Sequence, residues 1–227
     1  MGNVLRSLAF YLVFYGLSVG FVVSAVIAAA LGPRYSQAVP DAWSAFHRWC
    51  VETLLGIRVV EEGPRPEGPA LYAFKHESFF EAIDIARSLH RPAPFAKEEL
   101  FRIPLWGRAA RAYGGVPVAR DQGAKALRFM LFEAKRQVAT GRSLAIFPEG
   151  TRVPHGVRAP LRAGFAGIYK VVGLPVVPVA VNSGPLYHRV WKRPGTITLR
   201  FGEAIPPGLP REEVEERVCT AINILNP

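Results

Sequence analysis

Leu71-Tyr72-Ala73-Phe74-Lys75-His76-Glu77-Ser78-Phe79-Phe80-Glu81 carries the chain from one kind of structure into another. The apolar run reads as a buried strand ending at Phe74, and a helix begins near Glu77 or Ser78. Polar, chemically capable side chains fill the switch between them. A histidine with a carboxylate five positions later, across a helix start, can form a dyad. The carboxylate accepts one ring N–H, fixes the tautomer and strengthens the other nitrogen as a base. A capped helix with a surface histidine would carry the same letters.

The alternation recurs outward from this stretch. Strand-like runs occupy 57–60, 71–74, 94–96, 115–118, 144–147, 176–181 and 196–201. Leu127, Met130, Leu131, Ala134 and Val138 mark one face of an intervening helix. Pro210 opens a last helix whose Val214, Val218, Ile222 and Leu225 share a face. The pattern predicts an α/β domain over 56–227, a largely parallel sheet covered by helices. Sites in such sheets lie where strands end and loops begin. A second polar cluster, Phe147-Pro148-Glu149-Gly150-Thr151-Arg152, holds such a position, although Pro, Gly and Thr also build ordinary turns.

Residues 1–55 have a different character. The 24 residues from 8 to 31 carry no charge and are flanked by Arg6 and Arg34. As a helix they would be about 36 Å long, enough for a hydrocarbon core of roughly 30 Å. The apolar run exceeds the h-region of a signal peptide, so an uncleaved membrane helix is expected, spanning or dipping into one leaflet. The positive-inside bias places the Arg34 side in the cytoplasm. Gly16-Leu17-Ser18-Val19-Gly20 matches a nucleophile elbow and also a helix-packing motif; an elbow needs a strand-to-helix turn that this segment lacks. From Asp41 to Leu55 the spacing predicts an amphipathic helix starting near Pro40 or Asp41 and ending at Gly56. Trp43 and Trp49 suit either an interfacial helix or one packed on the domain.

Composition narrows the function. Lys and Arg exceed Asp and Glu by 28 to 18, giving +10. Eight basic residues and no acid lie between Gly150 and Gly202, and four more, again without an acid, between Leu100 and Arg120. Such a field attracts phosphates on nucleic acid, a bilayer or a small substrate. The signatures of the common nucleic-acid modules are missing, and a membrane helix argues against that partner. Cys50 and Cys219, the two cysteines, exclude a Cys-based zinc site or a disulfide scaffold and suit a reducing compartment.

The two polar clusters, their spacing and the apolar helix together resemble the glycerolipid acyltransferase family, in particular its bacterial 1-acyl-sn-glycerol-3-phosphate acyltransferases. The likeness covers about Gly56 to Pro206. The family's His-x4-Asp reads His76 to Glu81 here, with Glu in place of Asp. Its second motif, Gly with Arg five residues on, reads Gly115 to Arg120. Its Phe-Pro-Glu-Gly-Thr-Arg block is matched at 147–152, and its Pro-bearing strand at Val176-Val177-Pro178-Val179. A Lys ahead of the second motif fits Lys97.

The resemblance implies acyl transfer from a thioester, on coenzyme A or acyl carrier protein, to the sn-2 hydroxyl of lysophosphatidic acid, giving phosphatidic acid. It implies His76 as base and Glu81 as its orienting partner. Lys97, Gly115, Arg120, Glu149, Gly150, Thr151 and Arg152 would bind the acceptor. No metal or cofactor is expected. The partners would be the lipid bilayer and the two substrates, and the place the cytoplasmic face of a bacterial inner membrane. Other acceptors, such as lyso-ornithine lipid or lysophosphatidylglycerol, remain open, as does a non-catalytic lipid-binding role.

Overall fold

A computed structural model describes residues 1–118 and 123–226. Its centre is a seven-stranded sheet of β1 (Ile57–Glu62), β2 (Leu71–Phe74), β3 (Ala93–Lys97), β4 (Val116–Val118), β5 (Leu144–Ile146), β6 (Val176–Val181) and β7 (Gly195–Phe201), in the order β1-β7-β6-β2-β5-β3-β4. All neighbours are parallel except β6 and β7. The central strand β2 pairs Leu71 with Val176 on one side and with Leu144 on the other.

Every residue of β2 and β6 is buried, which is why both read as unbroken apolar runs rather than as alternation. Alternate residues feed two cores. Tyr72, Phe74, Ala145, Val177 and Val179 face one, with Phe80 and Ile85 of α3 (Phe79–Ser88). Leu71, Ala73, Leu144, Ile146 and Val176 face the other, under α5 (Gly123–Ala139), α6 (Ala163–Val172) and α8 (Arg211–Ile222). Two further helices, α4 (Trp106–Tyr113) and the short α7 (Gly184–Tyr187), complete the domain.

The amino-terminal helices α1 (Gly2–Leu31) and α2 (Pro33–Thr53) fold back on one another as a hairpin. Contrary to the expected start near Pro40 or Asp41, α2 begins at Pro33. Pro33 supplies a preset φ in the first turn, and the helix runs through Pro40 because packing on α1, α3 and α4 outweighs one missing rung. The packed reading of α2 holds for most of its length, since Ser44, His47, Cys50 and Val51 are fully buried; Trp43 donates to Ser18 Oγ of α1 at 2.8 Å, and Trp49 faces outward.

The base of α1 is part of the domain. A π-helical turn at Tyr11–Tyr15 turns Phe10 and Phe14 into the first core. Ser7 Oγ accepts from the Lys192 backbone N–H at 2.9 Å, and Tyr11 Oη donates to the Val190 carbonyl. A side chain at Gly56 would meet the Arg6 guanidinium, so Arg6 sits beside β1. Residue 34 lies at the far turn of the hairpin, in the first turn of α2. The outer face of α1 remains exposed and apolar through Leu12, Val19, Val23, Ile27 and Leu31. Gly16 and Gly20 face open space, and Ser18 donates to the Phe14 carbonyl. The elbow reading therefore has no structural counterpart, and the two glycines pack on no other described part of this chain.

Candidate active site

His76 stands just past the end of β2, where flanking strands on both sides also end. Ser78 caps α3, its Oγ accepting from Phe80 N–H at 3.0 Å. Glu81 completes the box by reaching back to the Ser78 N–H at 2.6 Å. The same Oε1 accepts from Glu77 N–H and lies 3.1 Å from His76 Nδ1. Glu81 Oε2 is met by the hydroxyls of Ser78 and Ser183, at 3.0 and 2.7 Å.

Glu81 is fully buried, and burial by itself would raise its pKa. The His76 hydrogen bond and charge, the Ser78 N–H and the Ser183 hydroxyl outweigh that, leaving it below the usual carboxylate range. A held carboxylate places the proton on Nδ1 and leaves Nε2 of His76 free as a base. The His76 ring stacks on Phe147 with centroids 4.0 Å apart, which fixes its plane.

Asp84, one turn beyond Glu81, has a different neighbour. It is buried and takes a bidentate contact from Arg48 of α2, with Ser88 Oγ at 2.7 Å. Arg48 also reaches Glu61 of β1 at 2.6 Å. That cluster ties α2 to the sheet and leaves Glu81 as the acid at His76.

Of the remaining sequence-derived residues, Glu149 is fully engaged. Lys75 and Glu149 form a buried ion pair at 2.6 Å, and Lys75 Nζ also donates to the Val157 carbonyl and to Asn223 Oδ1, both at 2.9 Å. The other Glu149 oxygen accepts the His76 backbone N–H at 3.1 Å. Val153 N–H then donates to the His76 carbonyl at 2.7 Å, so the 147–153 loop clasps the histidine. Gly150 sits at φ +71, where a side chain would also press on Arg162. Thr151 and Arg152 are exposed, and the Arg152 guanidinium lies 4.3 Å over the exposed Phe79 ring. Lys97 is exposed at the end of β3, in register with Val118. Gly115 lies at the opposite end of β4, where a side chain would crowd the Ala110 carbonyl and the Phe101 ring. Arg120 falls outside the described residues. Among those residues no three His, Cys, Asp or Glu side chains converge as a metal site would require.

Beside His76, Glu77 points the other way. It is buried, with Oε1 at 3.0 Å from His155 Nδ1 and Oε2 accepting the Gly184 N–H at 2.7 Å.

A model of the acyltransferase family matches residues 56–182. The chain belongs to the acyltransferase family. It is 29% identical over 211 residues to a 1-acyl-sn-glycerol-3-phosphate acyltransferase of Pseudomonas aeruginosa, covering 88% of this chain and 80% of that protein. The human 1-acyl-sn-glycerol-3-phosphate acyltransferase beta is 26% identical, over 88% of this chain and 76% of its own length. The fold is shared with the 1-acyl-sn-glycerophosphate acyltransferase PlsC of Thermotoga maritima, with TM-score 0.77 and 24% identity over 98% of this chain and 95% of that one.

Proposed function

We propose that this acyltransferase moves a fatty acyl group from a thioester to the sn-2 hydroxyl of lysophosphatidic acid, producing phosphatidic acid. The observation that carries the reading is the His76–Glu81 pair, an oriented base whose carboxylate is kept ionised by four further donors. The printed names of the relatives in Pseudomonas and human supply the acceptor. In the reaction His76 Nε2 takes the hydroxyl proton as the oxygen bonds to the thioester carbonyl carbon. The carbon–sulfur bond then breaks, and the imidazolium returns the proton to the leaving thiolate. Glu81 holds the tautomer and offsets the transient positive charge. The attacking group is the acceptor's own hydroxyl, so no enzyme nucleophile takes part.

Lys97, at the strand end flanking the dyad, and Arg120, two residues past β4, would bind the acceptor's phosphate. Arg does so as a fork and Lys as a point charge. Gly150, Thr151 and Arg152 would shape the acceptor's path, whereas Glu149 and Gly115 act by positioning, one gripping the His76 backbone and the other letting β4 approach Phe101. The exposed apolar face of α1 would lie in one leaflet at the cytoplasmic surface, because both ends of the α1–α2 hairpin return to the same domain. Purified protein incubated with acyl-CoA and a panel of lysolipids tests the reading. Phosphatidic acid formed fastest from lysophosphatidic acid supports it; faster acylation of a lysolipid lacking a monoester phosphate overturns it.

A further inference from the structure

On the β6 side of His76 the surface opens into a groove of about 780 Å3, within the range of small-molecule sites. Its walls are the start of α1 at Asn3 and Val4 and the segment from Gly184 to Arg193; His155 and Glu77 form its floor. Arg189 and Arg193 line it, and among the described residues neither has a carboxylate partner. His188 adds a ring N–H donor, and Trp191 offers a partly exposed ring. The one acid present, Glu77, has both oxygens occupied by His155 and Gly184 N–H, so it holds the floor in shape. The segment itself is fixed. Lys192 Nζ donates to the Tyr187 carbonyl at 2.8 Å and its backbone N–H to Ser7, so the two arginines are carried on an ordered strap.

This cationic groove is joined directly to the reacting centre. Glu77 follows His76 in the chain, and Ser183, which precedes Gly184, is hydrogen-bonded to Glu81. It also lies on the opposite flank from Lys97. The sheet order puts β6 on one side of β2, and β5, β3 and β4 on the other. Near Lys97 the surface carries exposed Leu100, Ile103 and Leu105, and α4 beyond them packs on the α1–α2 hairpin, so that flank borders the apolar side of the molecule. The groove borders the charged beginning of α1 instead. With the acceptor's phosphate read on the Lys97 flank, a water-soluble thioester carrier that bears its own phosphate would use a second cationic site. We infer that this groove holds the phosphate of a phosphopantetheine arm, the group that coenzyme A and acyl carrier protein share, and directs the thioester from there toward His76.

The inference rests on the acyl-transfer reading above, and its test separates the two. Acyl-pantetheine and acyl-phosphopantetheine differ only by the phosphate. With the native enzyme the phosphate should raise kcat/KM by roughly tenfold or more, as expected for charge-assisted contacts. In Arg189→Gln/Arg193→Gln that advantage should shrink below about twofold, while the KM for lysophosphatidic acid holds; both side chains are at the surface, and that unchanged KM also reports an intact fold. A phosphate advantage that survives in the variant overturns the inference, and so does a shift in the lysophosphatidic acid KM alone. Parallel assays with acyl-CoA and acyl carrier protein tell which source is used, and a loss confined to acyl carrier protein, with the small thioesters unaffected, also counts against it. Calorimetry with phosphopantetheine and pantetheine reads the groove without turnover. Equal binding of the two overturns the groove even if lipid is made, whereas phosphate-selective binding without lipid synthesis overturns the catalytic reading instead.

Discussion

His76 and His155 each approach a buried glutamate through Nδ1, at 3.1 and 3.0 Å, and their partners Glu81 and Glu77 are four residues apart. Distance does not distinguish the pairs; the surroundings of the carboxylates do. Glu81 collects two backbone N–H groups and two hydroxyls and is held below the usual carboxylate range. Glu77 has one backbone N–H beside its histidine, and burial, the largest influence, leaves it above that range. The donors that favour the ionised form of Glu81 also fit it to stabilise a transient imidazolium. His76 therefore has the partner better fitted for proton transfer, while Glu77 and His155 hold the floor of a groove.

Replacing the two histidines and their partners in turn tests this contrast. His76→Ala should cause the largest loss, cutting kcat by up to roughly 10⁴-fold with little change in Tm, because the attacking hydroxyl loses its base. Retention of a tenth of the rate would place the base elsewhere. Glu81→Gln should cost about 10²-fold in kcat with acceptor KM nearly unchanged. Gln can still complete the helix cap, so the loss isolates the carboxylate's charge. His155→Gln should leave kcat within about threefold and raise the donor KM roughly tenfold, the size of one lost contact to a charged group. A kcat loss matching Glu81→Gln would erase the distinction between the pairs.

A third histidine, His47, supplies the case without a carboxylate. It is fully buried, with Nε2 2.8 Å from Tyr187 Oη. Burial, with the charges of Lys192 and Arg48, pushes its pKa down to about 3. The folded value lies below the unfolded one near 6.5, so the unfolded chain binds the extra proton first. Stability is thus complete above about pH 6.5 and is lost as pH falls toward 3, by up to about 1.4 kcal/mol per unit. Thermal unfolding of the native chain and His47→Gln, followed from pH 7 to 4.5, should show the native chain falling more steeply. Parallel slopes would mean that His47 accepts a proton while folded.

Burial on both faces makes β2 and β6 unbroken apolar runs, and both appear with the expected ends; the other five expected segments appear with ends shifted by one or two residues. The His76–Glu81 approach was legible because it closes over five residues and uses the capping pattern Ser78-x-x-Glu81. That pattern also accounts for the longer acid, whose carboxylate reaches both the cap N–H and the ring. Ser183 was not legible, lying 102 residues from Glu81 in an unremarkable loop. Nor was the grip of Glu149 on Lys75 across 74 residues, since a buried ion pair leaves no local pattern. The hairpin was missed because hydropathy reports that a helix is apolar and not which way the chain returns. Pro40 read as a boundary because local propensity ignores the helices that pack around it.

The strap between α1 and the 184–193 segment also bears on how the protein is made. Ser7 finds its partner at Lys192, 185 residues later, and Tyr11 finds Val190 across 179. Helix α1 is thus among the last elements to be sealed: Phe10 and Phe14 can meet His47 and Trp43 of α2 early, but Phe10 meets Tyr187 only when the far segment has formed. Contacts so distant in sequence close slowly and expose apolar surface meanwhile. A bilayer that held α1 during synthesis would keep that surface covered, and would so act as a folding chaperone before it supplied substrate.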